Sequence, residues 1–356
     1  MVDLKSLSQK ELDTFIKNQG LPDYRADQLI HWIYARYASH IDEITEFSRH
    51  LRSRLNENAY VSNLKIIRRL TSSDGTEKFL SSLEDGHTIE SVLIPDSDRL
   101  TLCVSSQVGC AMGCRFCLTG AGGFIRNLKA HEIVDQIIAV NRLLRKDSPA
   151  GVYREEMGEG GFFERRITNI VFMGMGEPLM NFDNVVEALW RIVDLIGISK
   201  RRITLSTAGI VSKLSLLPLK GPGVNLAVSL NAATDEVRNR IMPVNKKYPI
   251  KSLIEACREY PLRPGRKLTV EYVLIDSVND SLEDAKKLVN LLKGVKCKIN
   301  LIPLNPHEGS TLKCPSDEKV LAFQRMLFHF NRRAMIRESR GQDILAACGQ
   351  LSAQNK

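Results

Sequence analysis

The chain has 356 residues, 43% of them hydrophobic and 26% charged, with a formal net charge of +9. These proportions are ordinary for a soluble globular protein, and no apolar run is long enough to span a bilayer as a helix. Met1 to Lys10 is polar, without the apolar stretch of a signal peptide, and eight cysteines in a chain of this length do not read as a secreted disulfide framework.

A reducing cytoplasm is therefore the expected compartment. The charge is unevenly spread. Residues 1–99 hold 13 Lys+Arg and 16 Asp+Glu, a balance of −3. Residues 100–356 hold the other 37 and 25, a balance of +12. Such an excess suits a polyanionic partner, because Lys and Arg neutralise phosphates and release counterions. A generic basic surface is the plainer reading.

Residues 1–60 read as three short helices. Ser8-Gln-Lys-Glu11 is a capping-box pattern, and Leu12, Phe15 and Ile16 follow at helical spacing. Gly20-Leu-Pro22 stops that helix. A second run, Ala26 to Tyr37, presents a broad apolar face, and a third spans Ser48 to Leu55. In residues 61–98, the turn signals Ser72-Ser-Asp-Gly75 and Glu84-Asp-Gly86 frame a hairpin. Its strands are Lys78–Leu83 and Thr88–Ile94. Glu90 sits in the second, and spacing alone favours a surface carboxylate on an edge strand.

From residue 100 the chain alternates strand and helix. Strands read at Thr101–Ser105, Ile167–Met173, Arg202–Thr207, Asn225–Leu230, Leu268–Ile275 and Lys298–Leu304. Helices read at about His131–Lys146, Phe182–Ile196, Val211–Leu217, Thr234–Ile241, Leu253–Glu259, Leu282–Leu292 and Glu318–Asn331. Alternation of this kind means an α/β fold with a parallel sheet and crossover helices, with its chemistry at the strand C-termini. Residues 147–165 interrupt it with a polar, Gly-rich insertion that reads as a surface loop.

The densest signal is Cys110-Ala-Met-Gly-Cys114-Arg-Phe-Cys117. Three thiols at C-x₃-C-x₂-C spacing can point at one centre. A [4Fe–4S] cluster held by three thiolates keeps one iron open for a ligand. Zinc is the competitor, but a closed zinc site needs a fourth ligand, and no Cys or His follows until His131. Other positions are individually bland. Phe172-Met-Gly174-Met-Gly176-Glu177-Pro178 ends a strand, and its glycines allow close backbone approach to a ligand. A plain βα turn would look the same. Cys103 in a strand is ordinarily a small buried hydrophobe, and Cys348 near the C-terminus could be incidental.

Val104-Ser-Ser-Gln-Val-Gly-Cys110, the three-Cys loop and Gly123-Phe-Ile-Arg-Asn-Leu128 together resemble the radical S-adenosylmethionine (SAM) adenosine methyltransferases, the RlmN/Cfr family. The likeness runs over essentially the whole chain. C-x₃-C-x₂-C alone would imply only a radical SAM enzyme; the flanking residues narrow it.

The resemblance implies a partial (β/α)₆ radical SAM barrel over residues 99–340. It implies a helix–hairpin–helix-like accessory RNA-binding domain over 1–60, a β adapter over 61–98 and a C-terminal segment over 341–356. It implies one [4Fe–4S] cluster on Cys110, Cys114 and Cys117, and two SAM molecules consumed per turnover. Gly176, Glu177, Ser206, Ser229, Leu230, Asn231 and Asn305 would line the SAM site. Many relatives carry His where this chain has Asn231. Cys348 would carry the methyl group, Cys103 would resolve the adduct through a transient disulfide, and Glu90 is lifted to candidate base. Cys257, Cys297 and Cys314 match no family role.

The substrates implied are an adenosine of the peptidyl-transferase centre of 23S rRNA and the adenosine 3′ of the anticodon in some tRNAs, methylated at C2. Methylation at C8 of the same rRNA adenosine, as in the Cfr branch, is the alternative. An electron donor such as flavodoxin or ferredoxin and a monomeric state are further expectations. Candidate phosphate contacts are Lys200, Arg201, Arg202, Arg332 and Arg333.

Overall fold

The computed structural model describes residues 1–147, 166–307 and 309–352. The insertion read at 147–165 lies, beyond Asp147, outside the described residues.

The first 60 residues fold around helices Gln9–Asn18, Tyr24–Ile30 and Arg49–Asn58. The capping box forms as read: the Glu11 amide donates to the Ser8 hydroxyl, and the Glu11 carboxylate accepts from the Ser8 amide at 2.8 Å. Leu12 and Ile16 face the core. The second helix is shorter than the expected run to Tyr37. After Ile30 it widens into a π turn, His31–Ala35, and the chain leaves through Tyr37 at φ +61°. Such a turn inserts an extra residue per winding, and both Ile33 and Tyr34 reach the interior here. Val2–Asp3 pairs in parallel with Ala59–Tyr60 and closes the module.

Polar side chains fasten this module to the barrel. Lys5 forms a buried ion pair with Asp135 on helix Ala130–Asp147. Burial pulls the Lys5 pKa down, and Asp135 opposes it. The second Asp135 oxygen accepts from the Leu64 amide at 2.6 Å. Arg191, on helix Phe182–Asp194, donates to the carbonyls of Lys5 at 2.6 Å and Leu7 at 3.0 Å. Removing one partner of such a buried pair leaves an uncompensated charge, which costs about 3–5 kcal/mol.

One ten-stranded sheet organises the rest. Its strands are β1 (Lys65–Thr71), β2 (Glu77–Ser82), β3 (Thr88–Asp96), β4 (Arg99–Cys103), β5 (Asn169–Phe172), β6 (Ile203–Thr207), β7 (Asn225–Ser229), β8 (Leu268–Leu274), β9 (Cys297–Pro303) and β10 (Ala334–Ile336). They lie side by side in chain order. β1 to β4 pair antiparallel, and β4 to β10 pair in parallel with helices between successive strands. The sheet passes from the hairpin into the barrel without a break, with Val92 opposite Cys103. Helix Phe182–Asp194 shows how the crossovers seat: Val185, Ala188, Leu189 and Ile192 recur at helical spacing and are fully buried.

Two strands of this sheet escaped the sequence reading. β1 is mostly exposed and basic, so its apolar alternation is masked. β10 has three residues and makes a seventh parallel strand where six were read.

Candidate active site

The three-thiol loop is shaped by close backbone approaches. Gly109, at φ +74°, brings its Cα against the Gly123 carbonyl; a Cβ there would stand 2.0 Å from that oxygen. The Cys110 amide donates to the same carbonyl at 2.7 Å. On the other flank the Arg115 amide donates to the Ile241 carbonyl at 3.0 Å. Cys110, Cys114 and Cys117 all line one cavity with an empty volume of about 920 Å³. Burial pushes the Cys110 thiol up to about 12 and raises Cys114 as well. Such thiols favour the thiolate only beside strong positive charge, which a metal centre supplies.

The donor set fits an iron–sulfur cluster better than zinc. His131 does not line the cavity; it lies against Asp3 at 3.6 Å. Among the described residues no three His, Cys, Asp or Glu side chains converge closely enough for a single metal ion. A cluster spreads its ligands over several irons and makes no such demand.

The expected SAM contacts surround the same cavity, with one exception. Gly176, at φ +101°, passes so close to Gln107 that a Cβ would lie 2.6 Å from that side chain. Glu177 is buried beneath it. Its carboxylate accepts from Thr207 Oγ1 at 2.7 Å and from the amides of Ala208 at 2.6 Å and Leu179 at 3.0 Å. Burial raises its pKa, and those three donors oppose the rise. Ser206 and Ser229 line the cavity from β6 and β7. Asn231 stands in the left-handed region at φ +56°, accepting from the Val273 amide at 2.9 Å. Asn305 donates to the Cys348 carbonyl at 3.2 Å and accepts from Gln342 at 2.9 Å. Leu230 is the exception: its side chain is buried away from the lining, and Arg238 takes its carbonyl.

A second cavity, with an empty volume of about 1690 Å³, fills the barrel lumen. Cys103 and Cys348 both line it, and Cys348 also lines the first cavity. Met173, Glu271, Ile302, Asn305 and Cys348 form the wall common to both. The exposed surface of Cys348 therefore faces these cavities. Burial pushes its thiol up to about 11 and raises the Cys103 thiol further.

Glu90 corrects the bland reading. β3 is an interior strand, and Glu90 is 6% exposed. Its carboxylate lies 3.2 Å from Lys78 Nζ and accepts from the Ser352 amide at 2.9 Å. Glu90 thus touches the C-terminal segment that carries Cys348.

The basic residues singled out at 200–202 and 332–333 immediately precede β6 and β10. They sit at the strand ends opposite the rim. Arg337 and Arg340 line the lumen cavity instead.

Three residues of the site escaped the sequence reading. Glu271 is buried in β8 and accepts from Ser206 and Ser229; a carboxylate amid Leu268–Leu274 was the available signal. Arg238 is fully buried under the rim and holds the carbonyls of Leu230, Ala208 and Ser229. Gln107 accepts from the Glu177 amide at 2.8 Å. For Arg238 sequence spacing carried no signal; Gln107 lies in the stretch 104–110 that carries the family resemblance, but no role was read for it.

Residues 2–61 match the family described as Ribosomal RNA large subunit methyltransferase N-terminal domain, and residues 104–292 match the Radical SAM superfamily. A dual-specificity RNA methyltransferase RlmN from Geobacter sulfurreducens is 49% identical over 356 residues, covering 99% of this chain and 93% of that one. Its namesake from Syntrophobacter fumaroxidans is 48% identical over 355 residues, covering 99% and 98%. Among solved structures, a radical SAM methyltransferase from Sphaerobacter thermophilus has a TM-score of 0.90 at 41% identity, covering 99% of this chain and 100% of that one. Likeness of this extent, at both ends of the chain and across its barrel, places the protein in the RlmN family of radical SAM RNA methyltransferases.

Proposed function

We propose that this enzyme methylates C2 of an adenosine in the peptidyl-transferase centre of 23S rRNA and of the adenosine 3′ of the anticodon in some tRNAs, through a methylated Cys348. The observation that carries this reading is the placement of Cys348 on the wall between the cluster-side cavity and the lumen. One sulfur there can meet a methyl donor on one side and a base on the other.

As a radical SAM enzyme the protein uses a [4Fe–4S] cluster and SAM. Cys110, Cys114 and Cys117 hold the cluster in this reading, and the rim at Gly176, Glu177, Ser206, Ser229, Asn231 and Asn305 holds SAM, with Leu230 contributing backbone only. When bound, the cluster supplies the electron for homolytic cleavage of SAM, and so the radical chemistry that activates a methyl carbon.

The chain's own residues do the remainder. Adenine C2 has no lone pair with which to attack a methyl sulfonium, so the Cys348 sulfur accepts the methyl first. Once that radical chemistry has removed one hydrogen atom from the methyl, its carbon bonds to C2 across the shared wall, joining Cys348 to the RNA, and the surplus electron of the adduct would return to the oxidised cluster. Glu90, beside the Cys348 segment, takes the ring proton. The Cys103 thiolate attacks the Cys348 sulfur and forms a disulfide as the bond from that sulfur to the methylene carbon breaks; the carbon leaves with the electron pair and takes up a proton, so the base departs carrying a methyl group. The target base must leave its stack to reach the site.

Four functional parts follow: the RNA-binding module at 1–60, the adapter at 61–98, the barrel at 99–340 and the methyl-carrying segment at 341–356. Among the described residues no helix is long and apolar enough to cross a membrane. In this reading the enzyme works as a cytoplasmic monomer with an electron donor such as flavodoxin or ferredoxin.

The test is methylation of rRNA and tRNA fragments by the anaerobically prepared enzyme with SAM and reductant, followed by nucleoside mass spectrometry. 2-Methyladenosine is expected; 8-methyladenosine would overturn the C2 assignment. Cys110→Ala, Cys114→Ala and Cys117→Ala should each lose iron, and full iron content in all three would overturn the ligand set.

A further inference from the structure

A thiol is a weak nucleophile until it loses its proton, and Cys348 must lose its proton to accept a methyl group. Glu271 is the carboxylate that shares both cavities with Cys348. It lies midway along β8, opposite Ser229 on β7 and Asn300 on β9. Its Oε2 accepts from the hydroxyls of Ser206 at 3.0 Å and Ser229 at 3.4 Å. Its Oε1 makes no hydrogen bond among the described residues and is not enclosed by protein. The two serines fix the carboxyl by one oxygen and leave the other free at the cavity wall.

Placement separates Glu271 from the other acids nearby. Glu271 and Cys348 both line both cavities, whereas Glu177 faces only the cluster side and Asp96 and Glu338 only the lumen. The titratable and charged groups that face Glu271 are Cys103 from β4, Cys348 from the C-terminal segment, Lys298 from β9 and Arg337 just after β10. Burial raises the Glu271 pKa, while the serine hydroxyls and the two cations oppose that rise. A raised carboxyl is a better match for a thiol proton than an ordinary one.

We propose that Glu271 is the base that takes the Cys348 thiol proton as that sulfur accepts its methyl group, an inference that rests on Cys348 being the methyl acceptor. The S–H bond of Cys348 breaks and its proton moves to Glu271. The sulfur electron pair forms the new bond to the methyl carbon. The bond from that carbon to the SAM sulfonium breaks, and its electron pair stays on the sulfur of the departing S-adenosylhomocysteine.

The experiment is a rapid-quench measurement of methyl loading on Cys348. The cluster-loaded full chain is mixed anaerobically with saturating SAM bearing a deuterated methyl, and the Cys348 peptide is weighed. Glu271→Gln should slow loading by roughly 10²–10⁴-fold, with SAM affinity unchanged and the acid limb of the pH–rate profile lost. A Glu271→Gln enzyme that loads at the wild-type rate, or that loses only SAM affinity, would overturn the proposal. Ser206→Ala gives a second reading should Glu271→Gln fail to fold. Removing that hydrogen bond raises the carboxyl pKa, so the acid limb should move to higher pH; an unmoved limb counts against Glu271. A wild-type enzyme whose Cys348 takes up no methyl at all would instead sink the methyl-acceptor reading beneath it.

Discussion

The amide of Leu118 donates to the carbonyl of Gly349 at 2.7 Å. The residue after the last loop cysteine is thereby tied to the residue after Cys348. The Thr119 hydroxyl adds a bond to the Leu351 carbonyl at 2.5 Å. Gly349 stands at φ +87°, where a Cβ would lie 2.9 Å from the Phe116 carbonyl. Gly349→Ala should therefore push the segment off the loop. The left-handed backbone alone costs about 1–2 kcal/mol for a non-glycine residue. Iron content should persist while RNA methylation falls on the order of 10²-fold, the usual penalty for a 1 Å misplacement. Iron assay alongside nucleoside mass spectrometry checks it; undiminished methylation refutes the coupling.

Cys103→Ala should bind the cluster, load a methyl on Cys348 and join to RNA, but fail to release it. Denaturing electrophoresis with and without ribonuclease should reveal RNA attached through Cys348, and the double variant Cys103→Ala/Cys348→Ala should carry none. Normal turnover by Cys103→Ala would reduce Cys103 to a packing residue.

Arg238 is fully buried and bridges the ends of β6 and β7 through the carbonyls of Ala208, Ser229 and Leu230, with Asn245 as a further acceptor. Burial pulls its pKa down to about 10. Arg238→Met leaves those carbonyls unpaired, at about 1–3 kcal/mol for each buried group left without a partner. Chemical denaturation should record a loss of several such units, and equilibrium binding should record weaker SAM affinity. An unchanged denaturation midpoint would show that water replaces the guanidinium freely.

Asp74 holds the start of the C-terminal segment, accepting from the amides of Gly341 at 3.0 Å and Thr76 at 2.9 Å. Partial burial opposes ionisation, but these and further hydrogen bonds outweigh it and hold the carboxyl at about 2 rather than 3.8. A depressed carboxylate stabilises the fold above its unfolded pKa and loses that contribution as pH falls through the folded value. Asp74→Asn should therefore melt below the wild type at neutral pH, and the gap should close between pH 3.8 and about 2. A gap that persists at pH 2 would assign the difference to packing.

The barrel was legible because its six central strands are largely apolar and its longer crossover helices keep a clean periodicity, as in Val185, Ala188, Leu189 and Ile192; the run read as one helix over Val211–Leu217 is instead two four-residue helices, Val211–Leu214 and Leu217–Lys220. β1 was not, because Lys65, Arg68 and Arg69 interrupt its pattern on a largely solvent-facing strand. Within the site, the three loop thiols carry their meaning in spacing alone. Glu271 does not: a buried carboxylate becomes conspicuous only when Ser206, Ser229 and Cys348, 65, 42 and 77 positions away, converge on it. Arg238 is illegible for the same reason, since its partners are backbone carbonyls that any sequence supplies.

The Lys5–Asp135 pair and the Arg191 bonds to the carbonyls of Lys5 and Leu7 seat the N-terminal module on helices Ala130–Asp147 and Phe182–Asp194 through buried charged groups. Buried pairs are screened by salt much less than surface ones. The module should therefore stay seated on the barrel at ionic strengths that weaken contacts between exposed cations and phosphates.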